Sequence, residues 1–190
     1  GKLPDLAMAI AEALAEQVAL LDAEVIQLDE ANLPGHPDEW EWAAEAVNRV
    51  LRAVKATPAI HLCFGNYGGQ SVQQGTWDKL MKFLNALEVD HIVMETAHRP
   101  AEELASFKAL RPEIGMGLGV VDIKRTEVET ADQIARSIER AESLLGQGRV
   151  RYIHPDCGFW MLKRPIADAK IRALVEGRDL FEGRTRSAAA

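Results

Sequence analysis

Apolar and polar residues alternate along the chain in two kinds of segment. Long segments rich in Ala, Leu and Glu, with apolar residues three or four positions apart, predict amphipathic helices. Between them, short runs rich in Val and Ile that end in Gly, Pro or acidic residues predict strands. Helices are predicted over 5–21, 37–54, 77–87, 101–110, 131–145 and 166–175. Strands are predicted over 25–30, 59–64, 91–96, 115–122 and 151–158.

The predicted order is one helix followed by five strand–helix units. The strands begin 34, 32, 24 and 36 residues apart, the spacing expected when parallel strands are joined by crossover helices. An α/β fold with a parallel sheet follows. Several side chains able to do chemistry lie at or near the carboxyl ends of these strands, where such sheets place their sites. They are Asp29, His61, Cys63, Glu95 and Cys157.

Five strands do not close an eight-stranded barrel. The chain therefore forms either an open sheet or the last five units of a (β/α)8 TIM-type barrel whose first three units lie outside it. A start on a helix, with no strand before it, favours the barrel. We expect one partial-barrel domain over 1–182 and a disordered tail over 183–190.

Composition narrows the class of partner. The chain has 190 residues and a net charge of −7, so its surface repels nucleic-acid phosphates and anionic lipid headgroups. No apolar run approaches the ~18–20 residues of a membrane helix, and the first residues lack the order of a signal peptide. Two cysteines are too few for a disulfide framework. We expect a cytoplasmic protein with free thiols, for which nucleic acids and membranes are poor candidate partners.

The cysteines and one histidine suggest a metal site. His61 and Cys63 are two positions apart on one strand, so their side chains project from the same face. Glu95 and Cys157 end two other strands and could add an oxygen and a second sulfur. Imidazole nitrogen and thiolate sulfur are typical zinc ligands. The pair is equally compatible with a buried cysteine and a core histidine that only satisfies a hydrogen bond.

The glycines at 115, 117 and 119 superficially match a dinucleotide-binding loop. They fall inside a predicted strand and no helix follows them directly, so close packing or approach of a substrate is the favoured interpretation. Asp156 is a candidate for supporting the metal ligands, and Trp160 and Met161 could line the pocket.

Five motifs together resemble one known family. In order and at about the same spacing, they are similar to the catalytic domain of cobalamin-independent methionine synthase, from about residue 5 to 178. The motifs are Gln27-Leu28-Asp29-Glu30, His61-Leu62-Cys63, Val93-Met94-Glu95-Thr96, Gly119-Val120-Val121-Asp122 and His154-Pro155-Asp156-Cys157-Gly158. The resemblance implies a (β/α)8 barrel of which these are the last five strands.

The resemblance also implies roles for single residues. His61, Cys63, Glu95 and Cys157 would bind zinc, and Asp29, with Glu30 beside it, would bind the amino group of homocysteine. The thiol would displace the carboxylate of Glu95 and take a methyl group from a methyltetrahydrofolate-type donor. The product would be methionine. The missing strands would come from another segment or a partner chain.

The chain also departs from the family pattern. Where the family has a histidine proton donor, this sequence has Lys124, which is either a catalytic proton donor or a solvated surface lysine. Ala31 replaces a proline, and the loop 65–69 is more similar to relatives such as epoxyalkane:coenzyme M transferase. Alternatives are therefore an alkyltransferase or lyase acting on another thiol such as coenzyme M, or a barrel fragment without catalytic activity.

Overall fold

A computed structural model describes residues 2–184. Its centre is a parallel sheet of five strands in the order β1-β2-β3-β4-β5, with β1 and β5 as the outer strands. The strands are β1 Val25–Glu30, β2 Thr57–Leu62, β3 His91–Met94, β4 Gly115–Val121 and β5 Val150–Pro155. The predicted α/β class and parallel sheet are confirmed, whereas closure into an eight-stranded barrel stays a prediction.

In the described part of the chain, five α-helices pack against the sheet. They are α1 Leu3–Val18, α2 Trp40–Leu51, α3 Met81–Ala86, α4 Ala131–Leu145 and α5 Arg164–Phe181. The bounds of α4 are those predicted, and its N-terminus is fixed by a capping box between Thr130 and Gln133. Of the tail predicted over 183–190, residues 185–190 lie outside the described part of the chain.

The prediction of an α-helix over 101–110 is wrong. Ala101–Ala109 forms 3-10 turns instead. The apolar residues here recur every third position, and Leu104, Phe107 and Leu110 are all buried. A 3-10 helix has three residues per turn, so it keeps these three side chains on one face. An α-helix, with 3.6 residues per turn, would place them at different angles around its axis. The predicted helix at 77–87 likewise begins as a 3-10 turn, Trp77–Leu80, before α3.

The core lies on one face of the sheet. Strand residues that alternate along β2, β3 and β4 join the buried faces of four α-helices in one apolar cluster. A second cluster packs α1 and α2 against Ile26 of β1. Every helix in these clusters therefore covers the same face, as in a barrel segment, whereas doubly wound sheets carry helices on both faces. We call the opposite face, which carries His61, the inner face.

Glycines form the inner face of β4. A methyl group added at Gly119 would lie 2.1 Å from Asp156 Oδ1 and 2.6 Å from the carbonyl oxygen of Met94. The loop that follows β5 therefore packs directly on the backbone of β4. The predicted packing role of these glycines is confirmed at Gly119.

Among the described residues, no helix combines the length and the apolar content needed to cross a bilayer.

We expect Gly119→Ala to lower the free energy of unfolding by about 1–3 kcal/mol, the usual cost of overpacking. Urea denaturation of the purified chain measures this change. Gly158→Ala is the matched control, because a methyl group there would meet no heavy atom within 4 Å. Equal stability of both variants would contradict the packing described for β4.

Candidate metal centre

Three predicted ligands meet at the carboxyl end of the sheet. The ligand atoms of His61, Cys63 and Cys157 all lie within 4.8 Å of one another. His61 is in β2, Cys63 directly follows that strand, and Cys157 lies two residues beyond β5. We call these residues the three-donor group. Parallel strands that start from the same edge bring together side chains that are 94 residues apart in sequence.

The ring of His61 is oriented by the backbone of the neighbouring strand. Its Nδ1 lies 3.1 Å from the carbonyl oxygen of Val93, so Nδ1 carries the hydrogen and donates it. The Nε2 atom is then left with a lone pair. It is buried and has no hydrogen-bond partner among the described residues. This arrangement is typical of a histidine metal ligand, whose second nitrogen is held by a carbonyl or carboxylate.

The thiols and the imidazole perturb each other strongly. Close contact with Cys63 and then with His61 lowers the pKa of Cys157 to about 3. The hydrogen bond with Cys157, followed by burial, raises the pKa of the Cys63 thiol. Burial opposes protonation of His61, but its interactions with Cys157 leave the pKa of the ring raised. Negative charge on Cys157 Sγ therefore lies next to His61 Nε2, a setting that attracts a cation.

Glu95 lies beside the three-donor group but has other partners. Its Oε1 is 2.9 Å from Lys124 Nζ, and its Oε2 accepts a hydrogen bond of 3.0 Å from the backbone N–H of Phe64. The indole Nε1 of Trp77 donates to its carbonyl oxygen at 3.1 Å. The structure thus places the Glu95 carboxylate next to Cys63 without joining it to the other three ligands.

The interpretation of Lys124 as a solvated surface lysine is wrong. Its side chain is only 4% exposed and forms an ion pair with Glu95, which is fully buried. The backbone N–H of Lys124 also donates to Asp122 Oδ1 at 2.8 Å, which fixes the turn after β4. Sequence position could show that Lys124 follows a strand end, but not that it points inward.

A cavity of about 520 Å³ opens next to the three-donor group. Asp29 is exposed at its wall, and its Oδ1 accepts a hydrogen bond from Gln27 at 2.8 Å. Glu30 also lines the cavity, but its carboxylate accepts the backbone N–H groups of Asn32 and Leu33. Burial raises the pKa of Glu30, and these N–H bonds oppose that shift. Asp29 is therefore the freer of the two predicted substrate-binding carboxylates.

The loop after β2 closes one side of this cavity. Asn66 donates to the carbonyl oxygen of Gly158 at 3.2 Å, which joins this loop to the one carrying Cys157. Trp160 lines the cavity, as the sequence suggested, and is 65% exposed. Met161 is half-exposed and is not among the cavity-lining residues described.

Asp156 connects two loops of the site. Its Oδ1 accepts the backbone N–H groups of Thr96 and Ala97, both at 2.8 Å, and its Oδ2 accepts that of His98 at 2.7 Å. Burial raises the pKa of Asp156 to about 7, and the three N–H donors act in the opposite direction. The side chain fixes the loop after Glu95 to the loop that carries Cys157. The predicted support of the metal ligands by Asp156 stays a prediction.

Sequence reasoning missed one buried ion pair near the site. Lys170 of α5 is fully buried, and its Nζ lies 2.9 Å from Glu129 Oε2. Glu129 also accepts the backbone N–H of Asp122 at 2.9 Å. The signal was present, because Lys170 lies between Ala167 and Ala173 on the buried stripe of α5. A lysine in an amphipathic helix is ordinarily solvated, which hid this role.

Comparisons with known proteins find the same family that the sequence motifs resemble. The chain is 32% identical over 179 residues to the methionine synthase of Thermococcus kodakarensis, covering 93% of this chain and 50% of that protein. It is 34% identical over 154 residues to the methionine synthase of Pyrococcus abyssi, covering 81% of this chain and 42% of that protein. The chain therefore spans about half the length of the curated relatives it matches.

A solved structure shares the fold. A B12-independent methionine synthase from a Shewanella species, in complex with selenomethionine, superposes with a TM-score of 0.78 at 21% identity. The match covers 95% of this chain and 55% of that chain. Residues 2–178 also match the family described as cobalamin-independent synthase, catalytic domain. The resemblance inferred from the motifs is thus confirmed, and the chain belongs to the family of cobalamin-independent synthase catalytic domains.

Proposed function

We propose that this chain carries the thiol-activating part of a zinc-dependent methyltransferase that methylates homocysteine to give methionine. The observation that carries the proposal is the three-donor group, in which the buried lone pair of His61 Nε2 lies beside two cysteine sulfurs and has no hydrogen-bond partner within residues 2–184. Two sulfurs and one imidazole suit zinc better than the oxygen-preferring cations. Three protein ligands leave a position for a substrate, as in catalytic zinc sites.

Each residue then has a distinct task. His61, Cys63 and Cys157 would hold the metal, and Glu95 would be a fourth, exchangeable ligand. Zinc, when bound, lowers the pKa of a coordinated thiol and keeps it a thiolate at neutral pH. The thiolate would attack the methyl carbon, and the bond from that carbon to the donor nitrogen would break. The proposed methyltetrahydrofolate-type donor rests on the family resemblance.

Charge at the cavity favours homocysteine over coenzyme M. The described residues that line it include the carboxylates of Asp29 and Glu30 but no Lys or Arg. The ammonium group of an amino acid would find a partner in Asp29. The sulfonate of coenzyme M would meet negative charge and, among the described lining residues, no Lys or Arg to offset it.

Because the chain spans half of its relatives, turnover is proposed for the whole protein. We propose that the remaining barrel strands, from another segment or chain, complete the site. Binding tests on the chain itself avoid this dependence. A barrel fragment without activity could bind zinc but would show no selective affinity for homocysteine.

We expect the purified chain to bind zinc in equimolar amount, and His61→Gln, Cys63→Ser and Cys157→Ser to lose most of it. Removal of a ligand leaves too few donors for a stable site. Elemental analysis after dialysis against a weak chelator measures the metal content.

His154→Gln is the matched control for that test. His154 Nε2 is also buried and has no partner among the residues that the structure describes, but this histidine is not in the three-donor group. We expect this variant to keep its zinc. Unchanged zinc in either cysteine variant would remove the basis of the proposal.

We expect Asp29→Asn to weaken binding of L-homocysteine to the zinc-loaded chain about tenfold, or ~1.4 kcal/mol, through loss of a charge-assisted hydrogen bond. Isothermal titration calorimetry measures the affinity. The ligand 4-mercaptobutanoate lacks the amino group, so Asp29→Asn should not weaken its binding. Equal weakening for both ligands would show that Asp29 does not recognise the ammonium group.

A further inference from the structure

Lys124 and Glu95 form a buried ion pair beside the three-donor group. Their charged atoms are 2.9 Å apart, and their side chains are 4% and 0% exposed. A carboxylate this deeply buried is costly unless a charge or several hydrogen-bond donors compensate it. Lys124 supplies that charge, and the Phe64 N–H binds the other oxygen.

The turn that carries Lys124 is held in place by a hydrogen bond and a second buried ion pair. It is held at Asp122, whose backbone N–H donates to Glu129 Oε1 at 2.9 Å. Glu129 is in turn paired with the buried Lys170 of α5. The ammonium group therefore stays near Glu95 whichever partner that carboxylate takes.

Glu95 is held close to the metal ligands. Phe64, which binds Glu95 Oε2, directly follows Cys63 in the chain. A rotation of the Glu95 side chain could exchange its contact with Lys124 for one with a cation at the three-donor group. The carboxylate thus has two competing positive partners.

We propose that Lys124 is a positioning residue that competes with the bound metal for Glu95 and thereby sets how readily a thiol displaces this carboxylate. The inference rests on the proposed function. In the exchange, the bond from Glu95 oxygen to the metal breaks, the bond from thiol sulfur to the metal forms, and the thiol proton leaves to solvent. The displaced carboxylate returns to Lys124, so no buried negative charge is left unpaired.

The test compares Lys124→Met with Lys124→Arg, which keeps the charge. Without Lys124, Glu95 has only the metal as a positive partner, so we expect Lys124→Met to bind zinc about tenfold more tightly. A change of this size is usual when a residue that contacts a metal ligand is replaced. We expect its Co²⁺-loaded form to bind L-homocysteine about tenfold more weakly. Competition with a chromophoric chelator gives the zinc affinity, and thiolate-to-cobalt charge-transfer absorption gives the thiol affinity.

Thermal unfolding with and without zinc separates this role from a purely structural one. We expect zinc to raise the melting temperature of Lys124→Met more than that of the unsubstituted chain. Arg151→Met is the control, since it breaks an ion pair with Asp90 at the amino end of the sheet, away from the metal site. It should lower stability equally with and without zinc.

The outcomes are distinct. Lys124→Arg should behave as the unsubstituted chain does, and in an E95Q background Lys124→Met should have no effect on either affinity. If Lys124→Met does not fold, Lys124→Gln replaces it with the same expectations. Zinc and thiol affinities unchanged in the uncharged variant would overturn the inference alone. An unsubstituted chain that does not bind zinc would overturn the proposed function as well.

Discussion

The site is organised around a buried imidazole nitrogen with a lone pair, to which no group in the described part of the chain donates a hydrogen bond. The bond from His61 Nδ1 to the carbonyl oxygen of Val93 fixes which nitrogen carries the hydrogen. It thereby aims the free nitrogen at two cysteine sulfurs. Leaving such an atom unsatisfied destabilises the fold, because burial removes its hydration without replacing it. The cation proposed for these three residues would resolve this, and the surrounding contacts hold the three side chains together.

The surrounding contacts are mostly between the backbone and charged side chains. Asp156 binds three consecutive N–H groups of the loop after β3, and Glu30 binds two in the loop after β1. Loops that carry functional residues are ordinarily the mobile part of an α/β fold. Here, the carboxylates of Asp156 and Glu30 replace the hydrogen-bonding partners that strands would have provided.

Much of this arrangement could be predicted from the sequence. Strand spacing gave the parallel sheet, and strand ends located Asp29, His61, Cys63, Glu95 and Cys157, because parallel strands bring their carboxyl ends to one edge. The 3-10 winding of residues 101–109 was hidden because three-residue and helical spacings differ little over ten positions. The pairing of Lys124 with Glu95 could not be predicted, since it depends on the path of a turn and not on any periodic pattern.

The glycines on the inner face of β4 have a consequence for engineering this protein. Gly119 leaves room for the Asp156 side chain to cross β4. Hydrogen bonds from Asp156 therefore join residues 96–98 and 155–157 into one structural unit. Neither loop can be transplanted into another scaffold alone without losing its anchor. Transfer of the proposed thiol chemistry to another protein would therefore require both loops together with strand β4, which lies between them.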